Sequence, residues 1–176
     1  LFQNTPIVYR SQEMYISPEN EGWENRYYKT LFKKTPDEPF IKTVCNNYIE
    51  ALEWVFLYYT KGCVNWRWKY NYHYPPLFKD LLRYIPHFET NFISYSNEPA
   101  FSAQTQLSYV LPVSSHKYLH NKIEAFLHKN YMELYCNDVR FEWAFCRYFW
   151  EAHPVLPQID VGLLSQWDRQ FIMMEK

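Results

Sequence analysis

The stretch from Tyr58 to Pro76, YYTKGCVNWRWKYNYHYPP, combines flat aromatic rings with cations and contains no acidic residue. Trp and Tyr rings stack on unpaired nucleobases, and Lys and Arg side chains bind the phosphates between those bases. The same rings could instead fill a core with the cations at its rim, and composition leaves both interpretations open. The candidate stacking residues are Trp66 and Trp68, and the candidate backbone contacts are Lys61, Arg67 and Lys69.

The charge distribution favours a local binding surface over a globally basic protein. The whole chain of 176 residues has a formal net charge of −1. The window from Trp54 to Lys79 contains four cations and no Asp or Glu, so the rest of the chain carries −5. A basic segment in an otherwise acidic chain is typical of an electrostatic footprint for a polyanion.

Histidine and cysteine patterns do not predict a metal site. His116 and His120 are four residues apart in a predicted helix, which is the spacing of two zinc ligands on one face. A third ligand and the HExxH pattern are both absent, so exposed or packing histidines are favoured. None of the four cysteines forms a C-x-x-C pair, so reduced and mostly buried cysteines are expected. These are Cys45, Cys63, Cys136 and Cys146.

The common catalytic patterns are missing from the sequence. Three isolated glycines cannot form a phosphate loop or a dinucleotide fingerprint, and no G-x-S-x-G is present. A two-metal nuclease needs several converging acids, whereas Asp80, Asp138 and Asp160 are scattered singly. The sequence therefore predicts no catalytic residue and no metal ligand within this chain.

The hydrophobic pattern predicts a mainly α fold (α+β with minor strands). Residues 40–61 show a broad apolar stripe at helical spacing, followed by Gly62, which predicts a well-buried helix. Residues 1–39 are expected to be largely irregular and 86–100 to form a loop, and 62–76 reads as a loop or edge. Four shorter helices are predicted, in PPLFKDLLRYIP, FSAQTQLSYVLP and SSHKYLHNKIEAFLHKN and after Pro157. The pattern of MELYCNDVRFEWAFCRYFWEA fits either a helix or a strand.

The order of residues in the central segment is specific. The run YIEALEWVFLYYTKGCVNWRWKYNYHYPPLFKDL resembles the second conserved region of the Xrn family of 5′→3′ exoribonucleases. Three further blocks, GWENRYYKTLF, FSAQTQLSYVLPVSSHKYL and WEAHPVLPQID, are similar to family motifs and follow in the family's order. The central positions in register are Tyr48, Glu50, Leu52, Trp54, Leu57, Tyr58, Tyr59, Gly62, Trp66, Trp68, Tyr70, Tyr72, His73, Tyr74 and Pro76.

The resemblance implies the helical part of a larger nuclease catalytic body that degrades single-stranded RNA bearing a 5′ monophosphate. It implies that Mg²⁺ is bound by residues outside this chain, in a first conserved region of the same gene product or another chain. The segment resembling the second region would form the wall of the RNA channel. A ring at Trp66 or Trp68 would clamp the bases, and Lys61, Arg67 and Lys69 would contact the backbone.

The resemblance also sets expectations for organisation and location. Residues 1–20 are expected to form an irregular N-terminal segment, 21–165 the Xrn-like region and 166–176 the end of a C-terminal helix. FEWAFCRYF stands where the family has a short Asn-Gly turn, which predicts a remodelled hairpin. An intracellular location, cytoplasmic or nuclear, without membrane contact is expected, and a divergent viral-type, virion-associated member is one variant of this hypothesis. A non-catalytic RNA-binding or structural module remains the alternative.

Overall fold

The computed structural model describes residues 4, 6–135 and 138–175, and within them α-helices dominate. The only sheet in these residues has two strands, β1 (Arg140–Glu142) and β2 (His153–Val155). The predicted mainly α fold class is therefore confirmed. The helices are α1 (Ser11–Ile16), α2 (Trp23–Leu31), α3 (Glu38–Lys61), α4 (Phe78–Tyr84), α5 (Ala103–Val110), α6 (Asn121–Asn130) and α7 (Val161–Met174). Short 3₁₀ helices cover Ile7–Tyr9, Val113–Tyr118, Met132–Leu134 and Phe149–Glu151.

The chain divides into two compact units. The first unit comprises Leu1–Glu98 and Trp143–His153, and the second comprises Pro99–Glu142 and Pro154–Lys176. Among the described residues, no helix has the length and apolar character needed to cross a membrane.

The core of the first unit is rich in aromatic rings. Tyr28 is 1% exposed, and its hydroxyl donates a 2.8 Å hydrogen bond to Oδ2 of the buried Asp80. The same hydroxyl accepts a 3.1 Å hydrogen bond from the backbone N–H of Leu77, so both of its hydrogen-bonding capacities are used. The buried members of this core are Ile16, Tyr27, Tyr28, Leu31, Phe40, Val44, Tyr74 and Ala144.

Helix α3 is the longest element, and local sequence explains both of its ends. The Asp37 side chain accepts a 2.8 Å hydrogen bond from the N–H of Phe40, which satisfies one of the unpaired donors of the first turn. Gly62 follows the last turn with φ 91° and ψ 179°, a backbone conformation that is nearly exclusive to glycine. The chain can therefore turn sharply at Gly62 and run back along the helix.

The expectation that α3 is well buried is correct only for its first half. Apolar side chains of the second half are exposed at i, i+3, i+4 and i+7, because the stripe extends beyond the part of α3 that the first unit's core covers. We call this set the α3 stripe, and it consists of Leu52, Val55, Phe56 and Tyr59, the last of which is 82% exposed.

The core of the second unit is built from apolar faces of α6 and α7. Its buried members are Leu119, Ile123, Leu127, Leu164, Trp167 and Phe171. The predicted helix in SSHKYLHNKIEAFLHKN is two elements, because Leu119 is extended (φ −79°, ψ 161°) and ends the 3₁₀ helix Val113–Tyr118 before α6 begins. His116 and His120 consequently do not share one helix face.

The remaining local predictions are partly tested. Cys45 and Cys146 are buried and Cys63 is half-buried, and all three are free thiols, whereas Cys136 lies outside the described residues. The segment expected to be irregular contains α1 and α2, and residues 1–3, 5 and 176 lie outside the described part of the chain. The boundaries 1–20, 21–165 and 166–176 stay predictions.

Candidate nucleic-acid interface

The aromatic and basic segment forms a loop that returns to α3. Residues 62–77 contain no helix and no strand, as the two prolines indicated. The Trp54 indole Nε1–H donates to the carbonyl of Asn65 at 2.9 Å, and the N–H of Asn71 donates to Oδ1 of Asn47 at 2.9 Å. Two side chains of α3 therefore fix the loop at two points.

Trp68 is part of a stack on the helix. Its ring lies 6.0 Å from that of Trp54 with an interplanar angle of 22°, and Trp54 in turn stacks on Tyr58 at 5.2 Å and 15°. The Trp68 Nε1–H donates to Oε2 of Glu50 at 3.3 Å, and this carboxylate also accepts from Asn47 Nδ2 at 2.8 Å. Trp68 is therefore held on one ring face and at its polar edge.

Trp66 is arranged differently, because its backbone is held while its ring is open. The neighbouring Asn65 donates from Nδ2 to the carbonyl of Ser94 at 3.0 Å and accepts from the N–H of Arg67 at 2.9 Å. The Trp66 side chain is 50% exposed, and no ring contact of Trp66 occurs among the described residues. An anchored backbone with an open indole suits stacking on a ligand.

The three candidate cations also differ in their surroundings. Lys61 in the last turn of α3 and Lys69 in the loop are both exposed, and neither has a carboxylate partner in the described ranges. The Arg67 side chain is only 18% exposed, and its Nε lies 3.2 Å from Oε2 of Glu98. The lysines are therefore available to an anion, whereas Arg67 is already engaged by an acid.

Most tyrosines near the loop are structural. The Tyr27 hydroxyl donates to the carbonyl of Pro75 at 2.8 Å, and the Tyr70 hydroxyl donates to that of Tyr74 at 2.8 Å. Burial raises the pKa of Tyr27 to about 12 and also raises the pKa of Tyr70. Both hydroxyls therefore remain protonated donors at neutral pH, and they fix the end of the loop that precedes α4.

The described residues contain no group of three or more His, Cys, Asp or Glu side chains that could hold a metal ion. Mg²⁺ prefers several converging oxygen ligands, so the described donor set does not fit this ion. Asp80 is 5% exposed and binds the Tyr28 hydroxyl, and its Oδ1 lies 3.9 Å from Nη1 of Arg83. This carboxylate therefore has a structural role.

The two histidines at ligand spacing are not paired with each other. His116 Nδ1 lies 3.1 Å from Nε2 of His128, and His116 Nε2 lies 3.3 Å from the Leu111 carbonyl. His120 caps α6, where its Nδ1 accepts from the N–H of Lys122 at 3.3 Å. Because a carbonyl only accepts, His116 carries its proton on Nε2, and His128 donates to His116 Nδ1. Burial lowers the pKa of His116.

Sequence reasoning missed the residues of α3 that hold the loop. Asn47 and Glu50 make the contacts with the loop described above, and Glu53 holds a different segment, because it accepts from the N–H groups of Phe92 and Ile93 at 2.6 and 3.1 Å. The available signal was a run of polar residues within an otherwise apolar helix, because buried polar groups need partners. The sequence offered no means of identifying those partners.

Comparisons with known proteins agree with this architecture. Residues 15–171 match the family model described as the Xrn1 helical domain. The chain is 34% identical over 150 residues to 5′-3′ exoribonuclease 2 of Schizosaccharomyces pombe, which covers 81% of this chain and 14% of that protein. It is 32% identical over 149 residues to 5′-3′ exoribonuclease 2 of Gibberella zeae, covering 82% and 15%. It is 32% identical over 120 residues to 5′-3′ exoribonuclease 1 of Saccharomyces cerevisiae, covering 65% and 8%. The chain thus spans only a small part of the length of these relatives.

Proposed function

This chain belongs to the family of the Xrn1 helical domain, and from that membership we propose that it is the helical part of a 5′→3′ exoribonuclease. The proposed substrate is single-stranded RNA with a 5′ monophosphate. The loop of residues 62–77 would form a wall of the channel that admits this strand. The observation that carries the proposal is the open indole of Trp66 on an anchored backbone beside two exposed lysines.

We assign separate roles to the two tryptophans. Trp66 stacks on a base, and such a contact contributes roughly 1–3 kcal/mol per base. Trp68 is a positioning residue, because Trp54 and Glu50 already hold its ring. This assignment chooses between two residues that the sequence left equivalent.

The roles of the three cations in phosphate binding are assigned from whether each already has an acidic partner. Lys61 and Lys69 bind phosphates of the bound strand, because both are exposed and lack an acidic partner in the part of the chain described. Arg67 contributes less to phosphate binding, since its ion pair with Glu98 must first be given up.

The reaction needs a partner that this chain does not supply. The proposed partner is the first conserved region, in the same polypeptide or in another chain, and it would hold Mg²⁺. The ion would supply Lewis-acid chemistry for phosphodiester hydrolysis to nucleoside 5′-monophosphates, and the residues of this chain would bind and orient the strand. The α3 stripe supports such a partner, because four apolar side chains on one helix face are exposed.

The proposed location is the cytoplasm or the nucleus, where RNA substrates occur. The three relatives named above come from cellular organisms, and they lend no support to virion association.

The test is a degradation assay on the natural polypeptide that contains this chain. A 5′-monophosphorylated single-stranded RNA should be degraded from its 5′ end with Mg²⁺, and the 5′-hydroxyl RNA should persist. Degradation of both RNAs at equal rates would contradict the proposed substrate. Binding of RNA without degradation would instead indicate the alternative, a non-catalytic RNA-binding module.

The matched variants are Trp66→Ala, Trp66→Phe and Trp68→Phe. Trp66→Ala should weaken RNA binding about tenfold, and Trp66→Phe should retain most of the affinity because a stacking face remains. Trp68→Phe keeps an aromatic ring but loses the Nε1–H bond to Glu50, so it should lower thermal stability more than affinity. If Trp66→Ala binds RNA with wild-type affinity, the proposal that Trp66 stacks on a base is wrong.

A further inference from the structure

The segment Trp143–Trp150 carries a second cluster of arginine and aromatic side chains in the first unit. It lines an open cavity of about 340 Å³ whose walls are Arg10, Glu13, Phe145, Cys146 and Arg147. We propose that this cavity and the adjoining ring pair Tyr148–Trp150 form a second binding surface for single-stranded RNA. The inference rests on the proposed function only in taking RNA as the ligand. The residues of this second surface are separate from the loop of residues 62–77.

The ring pair supplies a stacking platform. Tyr148 and Trp150 lie parallel, with centroids 4.5 Å apart and an interplanar angle of 9°. The guanidinium carbon of Arg147 lies 5.2 Å from the centroid of the Tyr148 ring. Trp150 remains 66% exposed although Tyr148 covers part of it, so its indole has open surface for a base. Stacking of this type tolerates every base.

The cavity supplies the cations for a phosphate. The Nε of Arg10 is buried and has no hydrogen-bond partner in the described residues. Arg147 is exposed, and within those residues no carboxylate pairs with its guanidinium. Guanidinium groups bind phosphate oxygens with two parallel hydrogen bonds, so both side chains fit this ligand.

The backbone of the segment is fixed by an uncommon conformation at Phe145 and by hydrogen bonds to Glu151. Phe145 has φ 59°, an uncommon conformation for a bulky residue, between the buried Ala144 and Cys146. The Glu151 carboxylate accepts hydrogen bonds from the N–H groups of Arg147 and Tyr148 at 2.7 and 3.0 Å. Glu151 therefore holds the backbone of the turn, while the Arg147 side chain lies against the Tyr148 ring and the cavity.

Glu13 makes the proposal sensitive to charge. Its carboxylate lines the same cavity, and it forms no ion pair with Arg10 or Arg147 among the residues described. A carboxylate in this place opposes an anionic ligand. Removing its charge should therefore strengthen RNA binding, whereas removing either arginine should weaken it.

The test is fluorescence anisotropy with the natural polypeptide that contains this chain. The probe is a labelled 5′-hydroxyl oligouridylate in EDTA, so that neither degradation nor a 5′-phosphate contact contributes. Trp150→Ala should raise the Kd about tenfold. Arg10→Gln and Arg147→Gln should each raise the Kd and reduce the salt slope of log Kd by about 0.7, the value for one phosphate contact on a single strand. Glu13→Gln should lower the Kd.

The controls separate this surface from the proposed channel. Arg169→Gln removes an exposed charge from α7 in the second unit and should leave both Kd and slope unchanged. RNA carrying 4-thiouridine should crosslink to the peptide containing residues 143–150 in Trp66→Ala as well as in the wild type.

Two results would overturn the inference. The first is wild-type affinity and salt slope in both Arg147→Gln and Trp150→Ala when circular dichroism shows them folded. If Trp66→Ala still weakens RNA binding in that case, the proposal for the loop of residues 62–77 holds and only the proposal of a second surface is wrong. The second is weaker binding of the oligouridylate in Glu13→Gln, which would show that the bound RNA does not place a phosphate in the cavity that Glu13 lines.

Discussion

The two units achieve burial in different ways. In the first unit, the buried rings carry hydroxyls that bind backbone or carboxylate oxygens, namely Tyr27 to Pro75, Tyr28 to Asp80 and Tyr74 to Ala144. In the second unit, the core is formed by aliphatic side chains of α6 and α7 around Trp167 and Phe171. The Nε1–H of Trp167 is buried without a hydrogen-bond partner in the described part of the chain.

The difference explains where a binding loop can be placed. Apolar contacts are non-directional, so they organise helices through periodic faces and do not fix an irregular segment. Hydrogen bonds of buried tyrosines are directional. The Tyr27 hydroxyl donates to the Pro75 carbonyl, and the Tyr28 hydroxyl accepts from the Leu77 N–H. The irregular loop of residues 62–77 is held by contacts of this second kind.

The largest effect is expected from Trp167→Ala in the second unit. Trp167 is 0% exposed, and its removal leaves a large cavity that α6 and α7 cannot fill. The free energy of unfolding should fall by about 3–5 kcal/mol. Urea denaturation measures the loss, and hydrogen exchange should show faster amides in α6 and α7. Equal acceleration in α2 and α3 would show that the two cores unfold together and would break the comparison.

A smaller effect is expected from Tyr28→Phe in the first unit. The change removes one hydroxyl and leaves a buried Asp80 oxygen and the Leu77 N–H without their partner. The free energy of unfolding should fall by about 1–3 kcal/mol, because unsatisfied buried groups carry their full desolvation penalty.

Tyr48→Phe is the matched control for this substitution. Tyr48 lies on α3 in the same unit, and its hydroxyl makes no hydrogen bond with any described residue. Its loss should change stability by less than about 0.5 kcal/mol. Equal losses in the two variants would show that the hydroxyl bonds of the first unit do not stabilise it.

The smallest effect is expected from the titration of His116 in the second unit. Burial lowers the pKa of His116 from its ordinary value of 6.5. The hydrogen bond to the Leu111 carbonyl opposes this lowering, His128 adds to it and Glu124 opposes it. The unfolded state therefore binds more protons just below that value, and stability falls as pH decreases from 6.5 toward the lowered pKa. The melting temperature should therefore fall as the pH is lowered below 6.5.

His116→Gln isolates this contribution. Glutamine can still donate to the Leu111 carbonyl but does not titrate, so the decrease in melting temperature over the same range should be smaller than in the wild type. Histidines that do not contact His116 contribute equally to both proteins, and a His128→Gln variant measured in parallel accounts for the one that bonds to His116 Nδ1. An unchanged pH dependence would assign the titration to another group.

Much of the helical framework could be predicted from the sequence. The 3.6-residue period, Pro39 near the start and Gly62 after the end define α3, and flanking prolines define α4. The helix predicted around His116 was too long, because its apolar spacing continued across the extended residue Leu119. Backbone geometry of this kind depends on packing with distant residues, and local patterns do not contain it.

The candidate interface was only partly predictable. Its rings and cations follow from residue type, but the sequence made Trp66 and Trp68 equivalent. The difference arises from Trp54 and Glu50, which bind Trp68 from positions 14 and 18 residues earlier in the chain. Likewise, the pairing of Arg67 with Glu98 joins positions that no sequence period connects.

The contacts between α3 and its loop also imply an order of folding. The bonds from Trp54 to Asn65, Glu50 to Trp68 and Asn47 to Asn71 span 11, 18 and 24 residues. The bond from Tyr74 to Ala144 spans 70 residues. Closing a short loop loses less chain entropy and is faster than closing a long one. During synthesis, the helix and loop can therefore assemble around Trp68 before residues 143–153 have left the ribosome.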